Sequence, residues 1–401
     1  MGNFDSAAFR RHFPAICPEV VYLDSAATAL KPTAVIEATD DFYRHHSGSV
    51  HRSQYRGATV LTTRYEQARQ HVATWLNAPV ASDIVWTRGT TESLNLVAQS
   101  YARNRLQAGD EILVSETEHH ANLIPWLMVA RQTGARVIKW PLGKNFLPDM
   151  SALPGLMNAH TRILALSQMS NVTGASPDIA AVAAIAHDFG AVVAVDGAQG
   201  AVHHRTDLQQ LDIDFYAFSA HKLYGPTGIG MLYGKTALLA EMEPWQGGGK
   251  MLSSASFDGF VPSAVPQRFE AGTPNIAGVI GLDAALAWWR QQDCNGAIRY
   301  TTALADKAER QLAQLPGFRS FRAKDSTLLS FEFDGVHHQD MAAILSQMGI
   351  ALRAGQHCAQ PLMAALGISG TLRASFAPYN TPEDVDRLIT AVKKALSLLT
   401  D

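Results

Sequence analysis

Cysteine is scarce in this chain of 401 residues: there are three, Cys17, Cys294 and Cys358, and no two form a C-x-x-C pair. Their spacing excludes a disulfide framework and an ordinary zinc site, and it suits a reducing compartment. Neither sign of charge is in excess. Lys and Arg number 33 against 36 Asp and Glu, a net charge of -3, which leaves no electrostatic footprint for nucleic acid or an anionic membrane. A small substrate is expected instead. Long hydrophobic runs are also missing. The most apolar stretch, "IAAVAAIAHDFGAVVAV", is cut by His187, Asp188 and Gly190 and reads as helix, turn and strand rather than a membrane span. The opening residues, "MGNFDSAAFRRHFPAI", contain no apolar core of a signal peptide, so a cytoplasmic location is expected.

With 47% hydrophobic and 17% charged residues, the composition is that of a globular protein, and the length allows two domains. Residues 60–235 alternate helical patterns with short apolar runs, which predicts an α/β domain with a mostly parallel sheet. Seven runs are strand candidates: "DIVWTR", "EILVSE", "RVIKWP", "RILALSQ", "AVVAVD", "DFYAFS" and "GIGMLYG". They read as strands buried on both faces. Helices are expected over 90–104 and 177–190, and a long one beginning near Ile276. The stretch "PWQGGGKMLSSASFDGF" (244–260) reads as a loop. From about residue 290 the order changes to long helix, strands, helix, strands and closing helix, a smaller α+β unit. The expected division is an N-terminal segment 1–20 packing with the small domain, a large domain 21–285 and a C-terminal domain 286–401.

Ligands of open parallel sheets bind beyond the carboxyl ends of the strands. Those ends carry Gly89-Thr90-Thr91, then Glu118-His119-His120, Asn171, Asp196 with Gln199, and Ser219 with His221-Lys222. Singly, each has a plain structural role: Thr90 or Thr91 as a helix N-cap, Asp196 as a helix cap, the adjacent histidines as turn residues. Together they match the needs of pyridoxal phosphate. Hydroxyls and N–H groups at a helix N-terminus suit its phosphate. A buried carboxylate such as Asp196 keeps its pyridine nitrogen protonated. A lysine in a low-dielectric pocket offers a free amine to its aldehyde, which singles out Lys222. Gln199 is placed to bond the ring oxygen and His119 to lie against the ring.

The motifs "TRGTTESLN", "AVDGAQGAVH", "SAHKLYGPTGIG", "AGTPN" and "RAGQHCAQP" resemble the class V aminotransferase-like enzymes of fold-type I. More narrowly, they resemble the group II (SufS/CsdA-like) cysteine desulfurases, from "YLDSAATALKP" to "TLRASFAPYN". The resemblance implies that Lys222 holds the cofactor covalently, Asp196 pairs its ring nitrogen and His119 stacks on the ring. Asn171 and Gln199 would contact cofactor or substrate. Thr90, Thr91, Ser219 and His221 would hold the phosphate, with Thr273 reaching in from the second subunit of a homodimer.

Cys358 stands in a short Gly/His/Pro loop, near Arg353 and His357, whose positive charge would favour the nucleophilic thiolate. The resemblance implies that it takes sulfur from the substrate as a persulfide and hands it to a SufE-like acceptor protein, with L-alanine released. Arg373 matches the arginine that grips the substrate carboxylate; Arg353 and His51 are second candidates. Gln356 and Gln360 lean toward the CsdA-type cysteine sulfinate desulfinase. Cysteine, cysteine sulfinate and selenocysteine all remain open as substrates. The rivals are an aminotransferase or a kynureninase-like hydrolase, neither of which needs Cys358, and a sulfur-relay protein holding the cofactor structurally. A dinucleotide fingerprint is excluded at "GPTGIG", which lacks a strand before it and a helix after it. No metal is expected.

Overall fold

The computed structural model describes residues 4–400; Met1–Asn3 and Asp401 lie outside the described residues. The strands in chain order are β1 (Val21–Tyr22), β2 (Ile84–Thr87), β3 (Glu111–Ser115), β4 (Arg136–Trp140), β5 (Thr161–Ser167), β6 (Val192–Asp196), β7 (Phe215–Ser219) and β8 (Gly230–Gly234). They continue with β9 (Leu252–Ser256), β10 (Gly259–Pro262), β11 (Phe318–Ser320), β12 (Leu328–Phe333), β13 (Ile350–Ala351), β14 (Arg353–Gly355) and β15 (Thr371–Ser375).

All seven strand candidates join one sheet, in the order β2-β8-β7-β6-β5-β3-β4. Four neighbouring pairs are parallel, and β8 runs antiparallel to both β7 and β2. Consequently β2, β3, β5, β6 and β7 all point the same way, and their carboxyl ends form one rim. Central strands such as β7 ("FYAFS") and β3 ("EILVS") are buried along their whole length, as continuous apolar runs between two helical layers should be. The exception is β4, at the sheet edge, where Arg136 and Lys139 face solvent; burial on both faces was expected there and does not hold. A charged edge strand discourages pairing with other chains.

The expected helix over 90–104 begins at Thr90, and its later part, Val97–Ala102, widens into a π-helix. The helix Ile179–Asp188 starts where predicted because Asp178 accepts the Ala181 N–H at 3.1 Å, satisfying one of the free donors of the first turn. The helix Ile276–Arg290 follows Asn275, whose side chain caps Gly278 N.

The C-terminal sheet is antiparallel, in the order β11-β12-β15-β14. The helices Cys294–Leu312, His338–Gln347 and Pro382–Leu399 pack together beside it. Their shared core contains Phe331, Leu372, Leu388 and Val392, each nearly or completely buried. At about 1.5–3 kcal/mol per large apolar side chain removed from water, this is a core in its own right. A capping box of Thr381 and Asp384 starts the last helix.

Two features differ from expectation. β1 pairs in parallel with β13, and Asp24 bridges to Ser375, so the chain at 21–24 adds to the C-terminal unit before the large sheet begins. The preceding segment packs at the seam: Phe9 lies 5.3 Å from Trp288, and Phe13 lies 4.8 Å from Tyr379. The stretch 244–260, expected as a loop, carries β9 and the start of β10, an antiparallel hairpin that ends at Pro262. β9 carries mostly small polar residues and β10 has Phe260 and Val261 side by side, all largely exposed, so no alternation of apolar residues marked them.

Candidate active site

The rim at the strand ends is hollow. A cavity of about 220 Å³ there is lined by Thr90, Thr91, His119, Asn171, Asp196 and Gln199. Ser219, His221, Lys222, Arg353, Cys358 and Arg373, also predicted, line the same space. Residues from five strand ends of the large sheet therefore meet residues from the C-terminal unit.

At one end, Gly89 turns the chain from β2 into a helix with φ +152°, in the region glycine favours; a Cβ there would lie 3.0 Å from Ser219 Oγ. The turn lets the Thr90 N–H donate to Ser219 Oγ at 2.9 Å, while the two hydroxyls also bond at 2.9 Å. Hydroxyls and a helix N-terminus thus converge where an anion is favoured.

On the floor, Asp196 ends β6, buried, with Oδ1 accepting the Ala198 N–H at 2.8 Å. Burial raises its carboxyl above the usual range, opposed by that hydrogen bond and by the charge of Lys222. Lys222 itself is brought down to about 8, chiefly by burial, with Arg373 and Arg353 adding repulsion against the pull of Asp196. Lys222 is thus half-buried in the wall of the cavity and not an exposed surface lysine. His119 is lowered to about 4 by burial and by Lys222, so its ring is neutral at pH 7. Its Nδ1 accepts from the Ala121 N–H at 3.0 Å, which places the ring proton on Nε2. His221 is likewise lowered to about 4 by burial. One N–H of the Gln199 amide goes to the Ala26 carbonyl at 2.8 Å, leaving the second for a ligand.

The far wall is the Cys358 loop. His357 (φ +52°) and Cys358 (φ +54°) both adopt left-handed backbone, which costs non-glycine residues about 1–2 kcal/mol each. Contacts from outside the loop hold it: Asn171 Nδ2 donates to the His357 carbonyl at 2.8 Å, and the His120 N–H donates to the Cys358 carbonyl at 2.7 Å. Both donors come from the large domain. Cys358 is exposed. His357 is buried against Thr371 and lowered to about 3, chiefly by burial. It is therefore neutral, and it does not supply the positive charge expected of it beside Cys358. Arg353 and Arg373 line the same cavity as Cys358.

Arg373 is 2% exposed and rises from β15. One Nη donates to the Asn171 carbonyl at 2.7 Å, and the other lies 3.4 Å from Asp24 Oδ1. Burial brings its pKa down to about 10. A buried guanidinium facing one half-buried carboxylate retains capacity for a second anion. Arg353 Nε lies 3.7 Å from Asp24 as well, so both arginines face the same carboxylate.

Two expected residues lie elsewhere in this chain. His51 hydrogen-bonds Glu66 at 2.8 Å, beside the buried Arg69–Glu270 pair. Thr273 lines a different cavity, of about 360 Å³, with Arg88 and Gln246. Sequence reasoning overlooked Asp24, although it sits within "YLDSAATALKP", and it placed Glu118 on the rim without giving it a role. Glu118 is buried behind His119 and accepts from Ser167 N, Ser167 Oγ and Asn122 Nδ2. Burial raises it to about 7. An acidic residue directly before a strand-end histidine was the available signal.

The donor set fits pyridoxal phosphate. A buried carboxylate whose only protein hydrogen bond among the described residues is to Ala198 N suits a cationic ring N–H. A depressed lysine opposite it suits an aldehyde. A hydroxyl-rich helix N-terminus suits a phosphate.

A model of the aminotransferase class-V family matches residues 21–388. The chain is 64% identical over 401 residues, the full length of both proteins, to the cysteine desulfurase CsdA of Escherichia coli. It is 50% identical over 405 residues, again full length in both, to a probable cysteine desulfurase of Vibrio cholerae. The crystal structure of E. coli CsdA superposes with a TM-score of 0.94 at 63% identity, over 99% of this chain and 100% of that one. The apo cysteine desulfurase of Thermococcus onnurineus also gives 0.94, at 34% identity and 100% coverage of both. The architecture is the expected fold-type I, and the chain belongs to the aminotransferase class-V family.

Proposed function

We propose that this protein is a pyridoxal phosphate-dependent cysteine desulfurase, which takes sulfur from L-cysteine, releases L-alanine and keeps the sulfur as a persulfide on Cys358. The observation that carries this reading is that Lys222, Asp196, Arg373 and Cys358 line one cavity. An aminotransferase would need the first three and not the fourth.

Lys222 would hold the cofactor covalently, Asp196 its ring nitrogen, and Thr90, Thr91, Ser219 and His221 its phosphate. When bound, the cofactor supplies an electron sink for charge developing at the substrate α-carbon. Arg373 holds the substrate carboxylate, with Asp24 and the Asn171 carbonyl fixing the guanidinium. Lys222, freed as substrate enters and already near neutral in pKa, takes the α-proton. Cys358 thiolate attacks the substrate Sγ; the new S–S bond forms as Cβ–S breaks, and the electron pair of that bond remains on carbon. A proton then adds at Cβ, another returns to Cα, and alanine leaves.

Cysteine sulfinate and selenocysteine present the same α-amino and carboxylate groups, and we include both as substrates. Cys358 is exposed, which supports transfer of its sulfur to a second protein, a small SufE-like acceptor. We also propose a homodimer in which Thr273 completes the partner's phosphate site. Trp245, 39% exposed beside Thr273, supports that face as a subunit contact. The large domain would end near residue 285 and the C-terminal domain, from 286, would carry the nucleophile. Among the described residues no helix is long and apolar enough to cross a membrane; we place the enzyme in the cytoplasm.

Borohydride reduction of the yellow protein should bleach the visible band and leave pyridoxyl on the peptide containing Lys222. Pyridoxyl mapped to any other lysine sinks the assignment. Arg373→Lys should lower kcat/KM for cysteine by about 10- to 100-fold, mostly through KM, because a point charge cannot reproduce the planar fork. An unchanged KM would show that the carboxylate is held elsewhere.

A further inference from the structure

Lys222 and Gln199 have a second face. Both also line a small cavity of about 30 Å³ whose wall includes Thr327, Leu328 and Phe376 of the C-terminal unit. That volume holds about one or two waters. Apolar cavities stay dry, but this one also has Thr327 and His203 in its wall. Thr327 Oγ1 and His203 Nε2 lie 3.5 Å apart, at the limit of a direct bond. Neither group has another side-chain hydrogen bond among the described residues, so each keeps capacity for water.

His203, Thr327 and Ile298 line a third space as well, an open groove of about 920 Å³ between the large domain and the C-terminal unit. Substrate pocket, small cavity and groove thus share walls in series: Lys222 and Gln199 at the first junction, His203 and Thr327 at the second. His203 is kept neutral at pH 7, its pKa lowered to about 3 by burial and by His204. A neutral imidazole offers one donor and one acceptor, which is what a relay of water hydrogen bonds needs.

We propose that this series is a rear water passage, through which the Lys222 amine exchanges protons with bulk solvent while substrate occupies the front of the pocket, and that His203 and Thr327 are its positioning residues. The proposal rests on the reading of Lys222 as the base that takes the α-proton. The exchange is balanced: one N–H proton of the lysine ammonium leaves for water as one water proton replaces it. It makes a turnover lose the identity of the hydrogen taken from the α-carbon.

The test uses α-deuterated L-cysteine with the holoenzyme in ordinary water, scoring deuterium in the alanine formed. The wild type should retain almost none. Ile298→Phe, which plugs the passage, and Thr327→Val, which removes its hydroxyl at nearly constant shape, should each raise retention several-fold at a near-normal turnover rate. In a single turnover the ceiling is about one third for each proton that the ammonium delivers to Cα or Cβ, set by its three equivalent hydrogens. A crystal structure of the wild type should show ordered water in the small cavity, displaced in Ile298→Phe. Retention unchanged in both variants, retention already at the ceiling in the wild type, or a dry cavity would each overturn the passage. A wild type that forms no alanine from cysteine would instead overturn the functional reading.

Discussion

Replacing Cys358 by alanine is expected to abolish alanine formation from cysteine while sparing much of that from cysteine sulfinate. The two substrates ask different things of the same residue. The thiol sulfur of cysteine is a poor leaving group, and it departs only when a thiolate attacks it and carries it off. The sulfinate leaves unaided as sulfur dioxide once charge at the α-carbon has been delocalised, with the Cβ–S electron pair staying on carbon. Lys222→Ala should abolish both reactions, because each needs proton transfer at the α-carbon. Alanine release measured for both variants on both substrates decides the matter. Wild-type turnover of cysteine by Cys358→Ala would refute the persulfide route. An equal collapse on both substrates would mean that Cys358 holds the loop in shape and does no chemistry. That loop is held at left-handed backbone by Asn171 and His120, so alanine at 358 should leave its anchors intact.

Asp196→Asn should retain the fold and lose about 10³ or more in kcat, the scale on which removal of one preorganised electrostatic contact is felt. Asn can still accept the Ala198 N–H through its oxygen, so the local hydrogen bond survives. The charge does not. A neutral amide cannot hold a proton on the ring nitrogen, and Lys222 also loses the carboxylate that favours its charged form. Cofactor occupancy, read from the visible absorption, must be measured beside kcat. Full occupancy with near-normal turnover would show that Asp196 is misassigned.

The failures of sequence reading have physical causes. In the hairpin, β9 is "LSSAS", mostly small exposed residues, and β10 sets Phe260 beside Val261 rather than in alternation, so no hydrophobic period could reveal it. His357 was read as a positive neighbour of Cys358 because it is adjacent in sequence. Burial against Thr371 makes it neutral, and burial is a tertiary property. Asp24 gains meaning only when β1 pairs with β13 and carries it to Arg373, 349 residues away in the chain.

What the residues determined by themselves was the α/β order and the rim. Apolar runs of five or so residues between helical patterns specify buried strands, and polar residues placed just past those runs must fall at the carboxyl ends. Thr90, His119, Asn171, Asp196, Ser219 and Lys222 were legible for that reason. Only the tertiary structure decided how the C-terminal unit meets that rim. The Asn171 bond to the His357 carbonyl, the His120 bond to Cys358 and the Asn171 bond to Arg373 each join residues far apart in the chain. Such contacts depend on the register of two separate sheets and on which groups lose their water. A linear pattern records neither, so the depressed Lys222, the neutral histidines and the approach of Cys358 to Lys222 are products of the packing.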